Sequence, residues 1–317
     1  MSTDRPRDLT GAVVLRRELL AEGWTDRQIL ARVRSGDLHR VRHGSYVSGG
    51  LWRSLSELDR YRVLVRAVLR RAHPAAVATH ISAAAEHGAP LWGVRLDEVH
   101  ITRTDGVPGR REAGVVHHRG AMSEADVELV NGIPTSSAAR SAVEVCTLTT
   151  VEPALVIVNG LLHSRRCTVE EIGAKVEAMK HWPDSLTTTL VIRLCDARIS
   201  SVAESRTSHL CWAQQLPRPE PQVPIPSEHG EVFAYVDFAW PEHGVFLEVD
   251  GREKYVHFRR ANETLEQYLM REKQREERIC AVTGWVCVRI SWADLERPVA
   301  TARRIRRLLE SRRPLGA

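Results

Sequence analysis

This sequence predicts a mixed α/β protein, α+β in its ordering, built from two or three domains. Three observations carry that expectation. The chain has 317 residues, 43% hydrophobic and 27% charged, an ordinary globular balance in a length that exceeds one small core. Helical spacing near the start gives way to a short basic hairpin within LHRVRHGSYV. After residue 200 the texture changes again: Pro217, Pro219, Pro221, Pro224 and Pro226 precede two runs rich in β-branched and aromatic residues. The expected divisions are 1–50, a mixed α/β middle region 51–200, and 201–317.

Thr10 can cap a helix through about Ala21, with Val13, Val14, Leu19 and Leu20 on its buried side. Thr25 and Asp26 open a second helix. In it Ile29, Leu30 and Val33 face inward, and Arg27, Gln28, Arg32 and Arg34 face out. Two short strands around His43-Gly44 then carry Arg40 and Arg42. A compact helical unit with a basic helix followed by a basic hairpin is the layout of a winged helix. Such folds set a helix in the major groove of DNA and steady it with phosphate contacts from the wing. The same layout also serves plain protein interaction.

In the middle region Ser56 to Arg71 predicts an amphipathic helix and Ala75 to Gly88 a small-residue helix. Glu98 to Arg103 and Gly114 to Arg119 predict strands, and a helix capped near Ser136 leads three more through about Ile199. His80, His87, His117 and His118 lack a ligand spacing with carboxylates and are expected to be structural.

Ser201 to Gln215 predicts a helix holding Glu204 and Arg206, and the prolines after it force an extended lead-in. VFAYVDFAWPEHGVFLEVDG, residues 232–251, then reads as a hairpin turning at Pro241-Glu242-His243-Gly244. With that loop Trp240 faces Val245, which puts Asp237 opposite Glu248. Phe233, Tyr235, Asp237, Phe246, Glu248 and Asp250 share one face; Val232, Val236, Phe238, Val245, Leu247 and Val249 supply core on the other. Directly opposed Cβ atoms lie roughly 4.5–5.5 Å apart, where like charges repel. A hard divalent cation would relieve that repulsion. An edge hairpin showing carboxylates to solvent is the plainer alternative, and Asp250-Gly251 also suits a turn. Asn262 can cap a long helix through about Val282 that bears Arg271, Glu272, Lys273, Arg275, Glu276 and Arg278. Gly284 stops it, WVCVRISWADL gives a strand, and a basic helix with Arg303, Arg304, Arg306 and Arg307 closes the chain. Mixed charge on such helices is commonly a solvated face.

Lys and Arg number 45 against 40 Asp and Glu, a net +5 with pI about 9.0. Arginine supplies most of the positive charge, which suits bidentate phosphate recognition. The six cysteines are scattered without a C-x-x-C pair, so neither a zinc site nor a disulfide framework is indicated. No apolar run approaches about 18 residues, and the expected compartment is the cytoplasm, with no membrane partner. Glycine-rich cofactor loops and a G-x-S-x-G elbow are absent from the sequence.

From about Ser201 onward the ordered series Glu204 in AESR, Asp237 in VDFAW, Glu248 in EVDG, then EKQREERI and GWVCVRISWADL resembles the PD-(D/E)XK nuclease superfamily. The similarity is to small restriction-endonuclease-like domains related to very-short-patch mismatch repair endonuclease. The segment GWTDRQILARVRSGDLHRVRHGSYV looks like the winged-helix domain of abortive-infection type IV antitoxins. Proteins joining two such parts carry a GIP-T-S-AR element, here Gly132 to Arg140. The nuclease resemblance implies that Asp237 and Glu248 bind Mg²⁺ (or Mn²⁺), with Glu204 an outer or second-metal contact. A lysine two residues after the glutamate normally positions the attacking water. This chain has Asp250 there, so Asp250 becomes a further ligand or the ammonium comes from elsewhere, with Lys273 preferred and Lys254 second. The implied functions are a metal-dependent DNA endonuclease in defence or repair or, without a positioned cation, a DNA-binding regulator partnered by a toxin.

Overall fold

The structure is a computed structural model and describes residues 7–106, 109–182, 185–250 and 263–312. The chain is mixed α/β, as expected, and divides into two compact units between Arg193 and Leu194.

The first unit opens with β1 (Val14–Leu15), α1 (Arg16–Ala21), α2 (Asp26–Ser35), β2 (Leu38–Arg42), β3 (Ser45–Ser48), α3 (Gly49–Ser54) and α4 (Glu57–Leu69). The strands form an antiparallel sheet in the order β1-β3-β2. The helix expected from Thr10 starts instead at Arg16. Val14 and Leu15 pair with Tyr46 and Ser45, so a ladder partner distant in sequence overrides the local cap signal. Thr25 and Gln28 close a capping box at the head of α2, and Gly36 at φ 80° ends it. Ile29 is buried as expected, whereas Leu30 is 49% exposed. Leu9, Val13, Leu15, Val47, Leu55, Val63 and Ala67 make one core with α4.

There follow β4 (Ala76–Ala78), α5 (His80–Glu86), β5 (Val99–Arg103), β6 (Arg111–Glu112), β7 (Val115–His118), β8 (Val127–Val130), β9 (Ile133–Ser136), α6 (Ala138–Cys146), α7 (Val151–His163), α8 (Val169–Ala178) and α9 (Ser185–Leu194), the last spanning the division between units. The sheet order is β6-β7-β5-β4-β9-β8, parallel at β5/β7 and β4/β9 and antiparallel elsewhere. The single helix expected over Ala75–Gly88 is therefore a strand and then a helix. Ala76 to Ala78 lie between β5 and β9, and His80 at φ 53° turns the chain into α5. Ser137, one residue beyond the expected Ser136, caps α6.

At that turn three imidazoles meet. The His80 ring stacks on His118 at 3.6 Å, and His100 Nδ1 lies 2.9 Å from His118 Nε2. Burial holds His80 well below the usual histidine range and takes His100 and His118 down to about 4. A histidine kept neutral in the folded state stabilises fully above its unfolded pKa of about 6.5 and loses that contribution as pH falls toward 4. His100 and His118 are each worth on the order of 3 kcal/mol over that interval, and His80 acts in the same direction. Glu144, whose carboxyl burial pushes up, works in the opposite sense, one group against three. Urea midpoints are therefore expected to fall steeply between pH 6.5 and 4.5, and a double substitution of His100 and His118 by Gln should flatten that slope.

The second unit comprises α10 (Val202–Ala213), β10 (Glu220–Pro226), β11 (Val232–Trp240), β12 (Val245–Asp250), α11 (Leu265–Thr283), β13 (Val286–Ser291), α12 (Trp292–Leu295) and α13 (Pro298–Ser311). Its sheet runs β10-β11-β12-β13, antiparallel except for the parallel β12/β13 pair on either side of α11. The proline-rich lead-in is itself the edge strand β10, a place where missing N–H groups are tolerated. Phe238, Val245, Leu247 and Val249 pack with α10 and α13 around Ala203, Leu210, Ile305 and Leu309. On the other side Val236, expected on the Phe238 face, packs instead with Ala239 and Phe246 against Ile279 of α11, so the two-residue alternation of β11 breaks between Val236 and Ala239. Val232, expected in the core, is 49% exposed at the strand end. Thr264 caps α11, while Asn262, the expected cap, lies outside the described residues. Gly284 ends α11 in the left-handed conformation at φ 68°.

Candidate functional site

The turn at residues 241–244 sets the register of β11 against β12. Phe238 faces Leu247, Ala239 faces Phe246 and Trp240 faces Val245, as the loop length predicts. Continued by one pair, that register would set Asp237 opposite Glu248, a step the ladder itself does not reach. Both are nearly buried, 9% and 4% exposed, so the alternative of carboxylates simply shown to solvent does not describe them. The regular ladder stops at Phe238. Beyond it Asp237 Oδ2 accepts the Val249 N–H at 2.7 Å, a side chain standing in for a backbone acceptor.

Glu248 meets a cation that sequence reasoning passed over. Arg275 of α11 donates through Nη2 to Glu248 Oε1 at 3.0 Å, through Nη1 to the Tyr235 carbonyl at 3.2 Å and through Nε to Glu272 Oε2 at 3.1 Å. Tyr268, Glu272, Arg275 and Ile279 follow the three-four spacing of one helix face, and Tyr268 and Ile279 on it are buried. Lys273 lies about 200° round the helix from Arg275. Its side chain is 72% exposed beside Glu277 at 3.9 Å. The helix thus brings Arg275, not Lys273, to Glu248. Lys254 lies outside the described residues. A search for an arginine at helical spacing from the buried stripe would have found Arg275.

Asp250 is tied to the neighbouring strand, accepting from Arg289 Nη1 at 2.9 Å, and Arg289 Nε in turn donates to Glu276 at 2.6 Å. Glu204, 2% exposed, accepts from the Ser200 N–H at 3.0 Å, the Ser201 hydroxyl at 2.8 Å and Gln222 Nε2 at 3.1 Å. Gln222 lies between Pro221, which faces Phe238, and Val223, which faces Val236, so it occupies the step opposite Asp237. Its φ of 53° marks a left-handed residue in the strand. Gln222 links the helix carboxylate to the Asp237 step, a role that nothing in the sequence advertises.

Among the described residues no three His, Cys, Asp or Glu side chains group closely enough to hold a metal ion. Asp237 and Glu248 nonetheless offer hard oxygen donors of the kind Mg²⁺ takes, which uses one or two carboxylates and completes its shell with water and phosphate.

In the first unit Arg27, Arg34 and Arg40 are exposed, and none makes an ion pair among the described residues. The other candidates for DNA contact are engaged within the protein. Gln28 closes the capping box with Thr25, and Arg32 pairs with Asp37 at 2.9 Å beneath the Trp24 ring. Arg42 donates to the Ala113 carbonyl at 2.7 Å.

No family model matches the chain. Two proteins of Mycobacterium tuberculosis are similar to it: Uncharacterized protein MT2308 of strain CDC 1551 / Oshkosh and Uncharacterized protein Rv2248 of strain ATCC 25618 / H37Rv. Each is 28% identical over 297 residues, covering 92% of this chain and the whole of the relative. No helix among the described residues is long and apolar enough to cross a membrane.

Proposed function

We propose that this protein is a Mg²⁺- or Mn²⁺-dependent DNA endonuclease acting in the cytoplasm, in defence or repair, with an N-terminal winged-helix-like part that grips DNA. The observation that carries the reading is two nearly buried carboxylates on adjacent strands, with Asp237 accepting the N–H of Val249, the residue after Glu248. Asp237 is oriented by the Val249 amide and Glu248 by Arg275, so both carboxylates are held in place before substrate arrives. A bound Mg²⁺ would polarise the scissile phosphate and lower the pKa of an attacking water. Asp250, where the resemblance implies a lysine, is paired with Arg289. That pairing ties Asp250 to β13, and we assign it the role of a brace beside the site.

The pairing also favours a second reading, a nuclease-fold DNA-binding regulator or antitoxin that does not cut and that answers to a toxin protein. Incubating supercoiled plasmid with the protein and Mg²⁺ or Mn²⁺ separates the two. Nicking that EDTA abolishes is the expected result. Intact plasmid across duplex, mismatched and single-stranded DNA, with a defined footprint near the protein's own gene, would favour the regulator.

Arg34→Ala and Arg40→Ala are each expected to weaken DNA binding without changing sequence preference. Each lost phosphate contact should reduce the slope of log K against log salt by about 1. Arg32→Ala should leave that slope nearly unchanged, because Asp37 already engages its charge. Fluorescence anisotropy over a salt series checks all three.

A further inference from the structure

We propose that Arg275 is a positioning residue that sets the affinity of the Asp237–Glu248 pair for a divalent cation, keeping it weak until DNA phosphate supplies further ligands. This rests on the nuclease reading above. Arg275 joins the two strands that carry the pair, at the place where their ladder has ended. Nη1 holds the Tyr235 carbonyl on β11, two residues before Asp237, and Nη2 holds the Glu248 carboxylate on β12. Nε is taken by Glu272, so each of the three nitrogens is engaged and the one that meets the pair is Nη2, on Glu248. The action of Arg275 therefore falls on Glu248 itself.

Its charge offsets one of the two carboxylates, the one on Glu248. With Glu272 counted, a cation entering the pair meets a net charge near −2 where the three carboxylates without the guanidinium would present −3. Charge at this separation is worth a tenfold change in affinity or more, even at the effective dielectric of a protein surface. A scissile phosphate restores the missing negative charge and adds oxygen ligands. The cation and DNA then bind cooperatively, and free cation alone is held loosely.

The test is Mn²⁺ binding to the full-length protein at pH 8, read from the electron paramagnetic resonance signal of free Mn²⁺. Arg275→Gln is expected to bind Mn²⁺ about tenfold tighter than wild type, Arg275→Lys close to wild type, and Asp237→Asn to abolish binding in each background. In the wild type, a short duplex with non-hydrolysable linkages should tighten Mn²⁺ binding by a similar factor. Arg275→Gln protein with an unaltered circular dichroism spectrum and wild-type Mn²⁺ affinity would overturn the proposal and leave Arg275 a brace between strands. So would a duplex that leaves wild-type affinity unchanged, a result that needs no variant to fold. Mn²⁺ binding indifferent to Asp237→Asn would instead remove the nuclease reading, and this proposal with it.

Discussion

Asp237→Asn and Glu248→Gln are each expected to lower metal-dependent nicking by about a thousandfold or more while leaving DNA affinity nearly intact. Metal coordination supplies several kcal/mol of transition-state stabilisation, and each 1.4 kcal/mol is about tenfold in rate. The two amides keep the shape of the side chains they replace, and DNA grip is assigned to a different unit. Glu248→Gln should also lower thermal stability, because Arg275 then keeps Glu272 as its one anionic partner. Lys273→Ala is the matching control, expected to nick at the wild-type rate because its side chain stands out in solvent. Single-turnover nicking with parallel anisotropy and melting curves reads all three. A Lys273→Ala loss as large as that of Glu248→Gln would contradict the assignment of Arg275 as the cation of the site.

Glu86→Leu is expected to destabilise the first unit by about 3–5 kcal/mol, the cost of removing one partner from a buried ion cluster. Glu86 has no exposed surface and accepts from Arg62 at 3.4 Å, from Arg66 and from Asn131 at 3.3 Å. Arg62 and Arg66 are 1% and 3% exposed. Leucine would leave both guanidinium groups inside the protein with Asp59 and the Asn131 carbonyl as reduced compensation. The contrast is Arg95→Ala, which breaks an ion pair between side chains 81% and 55% exposed and is expected to change the urea midpoint hardly at all. Equal effects from the two substitutions would show that Glu86 is not holding that cluster together.

The hairpin was legible because its information is local. A four-residue turn fixes the register from Trp240–Val245 to Phe238–Leu247, which carries β11 and β12 side by side up to Asp237 and Glu248. The helix opening at Thr25 and the helix starts at Ser56 and Ser201 were legible for the same reason. Partners distant in sequence were not. Val14-Leu15 became a strand only because β3 lies beside it, and Ala76 to Ala78 only because β5 and β9 flank it. His100 joined His80 and His118 across neighbouring strands with no shared spacing to reveal it. At the candidate site the carboxylates could be read from the chain, whereas their neighbours could not. Arg275 against Glu248, Gln222 against Glu204 and Arg289 against Asp250 are contacts between elements 18 to 39 residues apart.

The most direct test of the site is the position of Mn²⁺ in crystals of the full chain grown with a DNA duplex, read from its anomalous scattering. A peak within coordination distance of both Asp237 and Glu248, with a phosphate oxygen completing the shell, is the predicted result. A peak that touches neither carboxylate, or DNA bound with Arg275 still closed on Glu248 and no Mn²⁺ between the strands, would contradict the metal-dependent nuclease.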